Sequence, residues 1–253
     1  DDAVFIKPAY SKVPLKTPTQ WSSLACGEFI KSQTREVMHR YERKMKPGCQ
    51  VIVGNLGAEL QQEEHIDRVS VASSGQADML GILTELPIKT DSVDTLISPF
   101  TLEFHQHPHQ LLREYTRVLD DDGVLVLMGF NPVSPAVASG FFVRHAKPFP
   151  WCGRYFSIAR MKDWLALLGF DVKYSEYFVP HLLHKAEFQG LDWSSSLCEK
   201  VRVFNAAYVL VATKQTLIGR INTVSTRRKV RLSGQQPATA MTSDSFKLDK
   251  SKR

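Results

Sequence analysis

With 253 residues, 43% of them hydrophobic and 23% charged, the chain has the composition of a soluble globular protein and the length to bury one sizeable α/β core. Its four cysteines (Cys26, Cys49, Cys152, Cys198) form no C-x-x-C pair and read as isolated reduced thiols of a cytoplasmic protein, not as a disulfide frame. No basic stretch followed by an apolar run marks a signal peptide, and no apolar run approaches the roughly eighteen residues of a membrane span.

The net charge of +6 is unevenly placed. Lys214 to Arg253 holds ten Lys/Arg and two Asp/Glu, which leaves 22 basic and 24 acidic residues in the rest of the chain. Residues 215–253 are also rich in Ser, Thr and Gln, so a basic, disordered tail is expected there. Such a tail can contact RNA through counterion release. A solvated extension is the favoured reading, because aromatic residues for base stacking are scarce in it.

Residues 1–20 contain three prolines and no period, which predicts an extended arm. A helix is expected from about Ser22, with Trp21 ahead of it as a staple residue, and Pro47-Gly48 ends it. Cys49 to Val53 is a short apolar run closing on Gly54, as a buried parallel strand does, and Gly54-Asn55-Leu56-Gly57 then turns helical. A strand, a glycine-containing turn and a helix can cradle a nucleotide, because glycine lets backbone approach a ligand closely. A generic strand-to-helix turn explains the same two glycines equally well. Arg68 to Ser73 and Met79 to Leu83 are the next strand candidates. At the end of the second strand, where an acid ordinarily accepts ribose hydroxyls, stand Ser73 and Ser74, with Asp78 and Glu85 nearby.

Leu86 to Ser134 is the densest stretch of the chain. Leu86-Pro87 ends a loop, Asp91 to Asp94 leads into a strand over Thr95 to Ser98, and Pro108 opens a helix with Leu111, Leu112, Tyr115, Val118 and Leu119 on its apolar face. Asp120 to Gly123 reads as a turn and Val124 to Met128 as a fully buried strand. An amphipathic helix is expected over Ser157 to Leu168, a strand over Phe170 to Phe178, an irregular insertion over Val179 to Val203, and a last strand over Ala206 to Thr213.

The succession Leu86-Pro87, Ser92-Val93-Asp94, Leu111-Leu112-Arg113-Glu114, Arg117-Val118-Leu119 and Asp122-Gly123 resembles the class I S-adenosylmethionine-dependent methyltransferases, in the branch that mostly methylates small molecules. Leu102-Glu103-Phe104, Pro108-His109, Gly129-Phe130-Asn131-Pro132 with Ser134, Trp164-Leu165 and Leu168-Gly169-Phe170 resemble a little-characterised bacterial subgroup. The likeness covers about residues 21–214. It implies a Rossmann-like, doubly wound seven-stranded sheet whose last strand is antiparallel, with ligands beyond the carboxyl ends of the strands. It also implies S-adenosylmethionine as cofactor and a small-molecule methyl acceptor.

The chain departs from the family pattern in its cofactor half. Ile52 stands where an acid usually precedes the first glycine, Leu56 and Ala58 replace the second and third glycines, and Ile82 replaces the acid before the Leu-Pro pair. On the resemblance, Gly54, Asn55, Gly57, Ser73, Glu85, Leu86 and Ser98 are the expected cofactor-binding residues. A catalytically degenerate binding or regulatory protein on the same fold is the second reading. On the substrate side the candidates are Glu103, His105, His109, Asn131 and Ser134. His105-x-His107-x-His109 invites a metal site, but Pro108 breaks the regular face that would carry all three, so no metal is expected.

Overall fold

The computed structural model describes residues 15–64, 68–138, 149–179 and 205–215. Most of the expected N-terminal arm, the insertion with Trp193, Cys198 and the basic tail lie outside the described residues.

Seven strands form one sheet in the order β3-β2-β1-β4-β5-β7-β6. They are β1 (Gln50–Val53), β2 (Val69–Ala72), β3 (Met79–Leu80), β4 (Val93–Pro99), β5 (Leu119–Phe130), β6 (Phe170–Phe178) and β7 (Ala207–Lys214). β1 to β5 pair in parallel, while β7 lies antiparallel between β5 and β6. This is the Rossmann-like, doubly wound sheet with an antiparallel last strand. β1 reverses the winding, with β2 and β3 on one side and β4 and β5 on the other, which makes its carboxyl end the switch point where such sheets take ligands.

The helices cover both faces. On one side lie α1 (Gly27–Tyr41) and α2 (Asn55–Glu64), packed through Ile30, Val37, Leu56 and Leu60 against Ile52, Ile97, Val126 and Phe130. On the other lie α3 (Pro108–Val118) and α5 (Ile158–Leu167), packed through Leu111, Tyr115, Met161 and Leu165 against Val51, Leu96, Leu125 and Leu127. Alternation along the central strands assigns each face its own core, so the two clusters share no residue. A short α4 (Pro135–Ala138), which the sequence pattern did not reveal, follows β5.

Two expectations need correction. Ser22 does not begin a long helix: a 3-10 turn covers Trp21–Ser23, Cys26 takes a left-handed φ of 53°, and α1 begins only at Gly27. Nor is Asp120 to Gly123 a connection outside the sheet. The ladder against β4 runs Val93 with Leu119 and then Thr95 with Val124, so these residues form an excursion within β5, with Asp122 at a φ of 58°.

The family-like residues before and within α3 lock one loop to one helix. Glu114 Oε1 accepts from the Leu86 N–H at 2.6 Å, and Arg117 Nη2 donates to the carbonyls of Leu86 (3.1 Å) and Ile88 (3.0 Å). The same guanidinium holds Glu114 at 2.7 Å, which keeps that carboxyl below the usual carboxylate range.

Candidate active site

The carboxyl ends of β1, β2, β3, β4 and β5 converge on one edge of the sheet. Gly54, directly after β1, has a φ of +103°, and a Cβ there would fall 2.3 Å from Thr101 Oγ1. That hydroxyl lies 3.0 Å from the Val53 carbonyl, closing the crevice between β1 and β4. Gly57 is a packing glycine: a Cβ would lie 2.8 Å from Ile52 Cγ1 and 3.2 Å from Pro99 Cγ. The space both glycines leave is therefore filled by protein atoms.

Asn55 is the hub of the cofactor-side candidates. It is 6% exposed; its Nδ2 donates to the Pro18 carbonyl at 3.2 Å, and its Oδ1 accepts from Ser73 Oγ and the Ser74 N–H, both at 3.2 Å. One amide thus joins the turn after β1, the turn after β2 and the segment ahead of α1. Ser73, Ser74 and Glu85 are exposed, and so are Leu80 (61%) and Ile82 (66%) around the end of β3. Hydroxyls, a carboxylate and bare apolar side chains consequently share this end of the edge strands. Leu86 and Ser98 sit apart from that group. Leu86 packs into the core, and Ser98, 1% exposed, meets Tyr115 Oη at 2.9 Å.

Trp21 closes the same edge from above. It is fully buried, its Nε1 donates to the Leu56 carbonyl at 2.9 Å, its N–H donates to Glu59 Oε2 at 2.9 Å, and its ring meets Phe100 edge-on at 5.8 Å. Lys31 pairs with Glu59 at 2.8 Å and fixes the other carboxylate oxygen.

The substrate-side candidates differ in what their polar atoms are doing. Glu103, on the 3-10 turn Leu102–Phe104 after β4, is 1% exposed; its Oε1 accepts from the Phe130 N–H at 3.0 Å, and its Oε2 has no hydrogen-bond partner among the described residues. Burial pushes its carboxyl up to about 8, against two backbone hydrogen bonds that work in the opposite direction. His105 Nδ1 accepts from the His107 N–H at 3.1 Å, and burial lowers the pKa of its ring. His109 lies on the Trp164 ring at 3.9 Å between centroids, well apart from Glu103 in role. Asn131 is taken up by its own loop, donating to the Asn205 carbonyl at 2.9 Å and accepting from the Val133 N–H, while Ser134 Oγ accepts from the Val137 N–H as the cap of α4. Among the described residues no group of three His, Cys, Asp or Glu is placed to hold a metal ion.

Sequence reasoning missed Thr101, Tyr115, Arg154 and Tyr208. Arg154 donates its backbone N–H to the Glu103 carbonyl at 2.8 Å and its Nη2 to the carbonyls of His105 and Gln106, so it secures the whole turn that carries Glu103. The signal for Tyr208 was Gly129, a glycine within the apolar run from Val124 to Phe130. A Cβ there would fall 2.3 Å from Glu103 Oε1 and 2.7 Å from Tyr208 Oη.

Comparison with known proteins agrees with this architecture. Residues 56–127 match a family described as a methyltransferase domain. The chain is 31% identical over 223 residues to the uncharacterized protein YafS of Escherichia coli K12, covering 84% of this chain and 87% of that protein. In fold it is similar to a possible histamine N-methyltransferase of Thermotoga maritima (TM-score 0.52, 18% identity, 77% of this chain and 100% of that one). It is likewise similar to a methyltransferase of Archaeoglobus fulgidus (TM-score 0.52, 18% identity, 74% and 94%). The chain belongs to the family of YafS; its residues 56–127 match a methyltransferase domain, and its sheet has the fold of S-adenosylmethionine-dependent methyltransferases.

Proposed function

We propose that the protein transfers a methyl group from S-adenosylmethionine to a small-molecule acceptor that enters over the carboxyl ends of β4 and β5. The observation that carries the small-molecule reading is enclosure. Phe100, Leu102, Glu103, Phe104, Asn131 and Ser134, which build that side, are all at most 5% exposed. Residues so buried present no open surface to a macromolecular acceptor, which favours a small one.

The residues at the β1–β3 edge fit the cofactor's chemistry. Ser73 and Glu85 would meet ribose hydroxyls, Ile82 offers an apolar surface to a purine, and Asn55 holds the Ser73 turn in place. When bound, the cofactor supplies an electrophilic methyl carbon on a sulfonium. The protein's task is then alignment and exclusion of water. Trp21 and Phe100 wall the crevice, Thr101 fixes the turn after β4 to the end of β1, and Arg154 holds the acceptor-side turn.

Calorimetry with S-adenosylmethionine and S-adenosylhomocysteine tests the reading. Saturable heat with both ligands is expected, together with label transfer from methyl-labelled S-adenosylmethionine into a deproteinised low-molecular-weight cell extract. No heat at millimolar ligand overturns it.

A further inference from the structure

We propose, on the basis of that methyltransferase reading, that Glu103 is a catalytic residue: its Oε2 takes the proton of the acceptor's nucleophilic nitrogen or oxygen, and the acceptor is therefore an N–H or O–H compound.

Geometry carries this. Glu103 stands on the turn after β4, and its Oε1 is tied to the Phe130 backbone at the end of β5, so the carboxylate bridges the carboxyl ends of the two central strands. Those ends are where doubly wound sheets bind ligands. The anchored Oε1 fixes the orientation of the group, and Oε2, almost wholly buried, is left without a partner among the described residues. A buried acceptor with no donor is costly in a native fold and calls for a reason. A proton-bearing ligand atom supplies one.

The surroundings keep the carboxyl basic instead of pairing it. Tyr115 faces it from α3, Tyr208 from β7, and Tyr155 and Arg154 from the stretch ahead of α5. The three phenols are themselves raised, by burial first and by the Glu103 charge second or third. Arg154 commits its Nη2 to the His105 and Gln106 carbonyls, and no donor reaches Glu103 Oε2 among the described residues. Gly129 clears the space: only a residue without a Cβ leaves room for Glu103 Oε1 and Tyr208 Oη, which thereby lie within about 5 Å of each other. The other substrate-side candidates lack an equivalent free atom. His105 Nδ1, Asn131 and Ser134 are engaged by backbone, and His109 lies on Trp164.

The step balances. The acceptor's lone pair forms the bond to the methyl carbon, the carbon–sulfonium bond breaks with its pair left on sulfur, and the acceptor's proton passes to Glu103 Oε2. A carboxyl held near the working pH is suited to that exchange.

The test uses S-adenosylmethionine carrying a carbon-13 methyl group, the full chain and a deproteinised small-molecule extract, with the product methyl observed by NMR. A nitrogen- or oxygen-bound methyl is expected. Its rate should rise with pH through about 8. Glu103→Gln should bind S-adenosylhomocysteine as the wild type does by calorimetry and form product at least about 100-fold more slowly. A carbon-bound methyl, a rate flat across that pH range, or Glu103→Gln at the wild-type rate overturns the proposal. Should that variant fail to fold, the product's bonding and the wild-type pH profile decide alone. No product from the wild type, with no cofactor heat, overturns the methyltransferase reading itself and this step with it. Cofactor heat without any N- or O-methyl product overturns the step alone.

Discussion

Asn55 and Ser73 are joined across the carboxyl ends of β1 and β2 by a 3.2 Å hydrogen bond, in which the serine hydroxyl donates to the amide oxygen. The same oxygen takes the Ser74 N–H, so one neutral side chain organises the turn that in this fold ordinarily presents an acid. Asn55→Ala is expected to cost about 1 kcal/mol of stability by removing the shared partner of these part-buried groups. It should also weaken S-adenosylhomocysteine binding by about tenfold, as calorimetry would read. Asn55→Asp keeps the acceptor for Ser73 and Ser74 but turns a second oxygen toward the Pro18 carbonyl, so it should recover only part of the affinity.

Trp21 ties the segment ahead of α1 to α2. Trp21→Ala removes a fully buried ring and its bond to the Leu56 carbonyl, with an expected loss of about 3–5 kcal/mol in denaturant unfolding. Trp21→Phe keeps most of the contact with Phe100 and should cost about 1–2 kcal/mol.

Glu114 makes stability depend on pH on the acid side. Its pKa is depressed in the fold, by the Arg117 hydrogen bond first, so its contribution is present above the ordinary glutamate range and is lost as pH falls through the lower, folded value. Glu114→Gln should cost about 1–3 kcal/mol at neutral pH. The gap between the two proteins should close in acid, which thermal melts at several pH values would show.

Glu103 acts in the opposite sense. Its pKa is raised, so the folded state holds a proton that the unfolded state releases, and stability falls as pH rises from the ordinary glutamate range to about 8. Glu103→Gln should remove that slope and melt above the wild type in mild alkali. Gly129→Ala, which drives a Cβ into Glu103 Oε1 and Tyr208 Oη, should cost about 1–3 kcal/mol and disturb the same titration.

Much of this was legible in the sequence where local rules and packing agree. The apolar runs of β1, β4, β5 and β7, the Pro108 helix start and the strand that follows Gly169 declare themselves. Leu86, Glu114 and Arg117 were visible as a motif, although their shared hydrogen bonds were not. Cys26 and Asp122 misled because a left-handed residue that is not glycine leaves little trace in a pattern of hydrophobic spacing. The site was harder still. Asn55 meets Ser73 across 18 positions and Arg154 meets Glu103 across 51, and no periodicity encodes such encounters.

The antiparallel course of β7 has a practical consequence. It starts opposite Phe130, beside the acceptor side, and runs down to pair Thr213 with Val124. There Lys214 Nζ binds Asp91 and the Leu119 carbonyl, and the Gln215 N–H binds the Gly169 carbonyl. Six residue steps of strand, roughly 20 Å, separate that exit from the Phe130 end. A fluorophore or surface tether attached at Gln215 therefore starts on the far rim of the sheet, which makes it the position of choice for immobilising the protein while cofactor is titrated onto the opposite one.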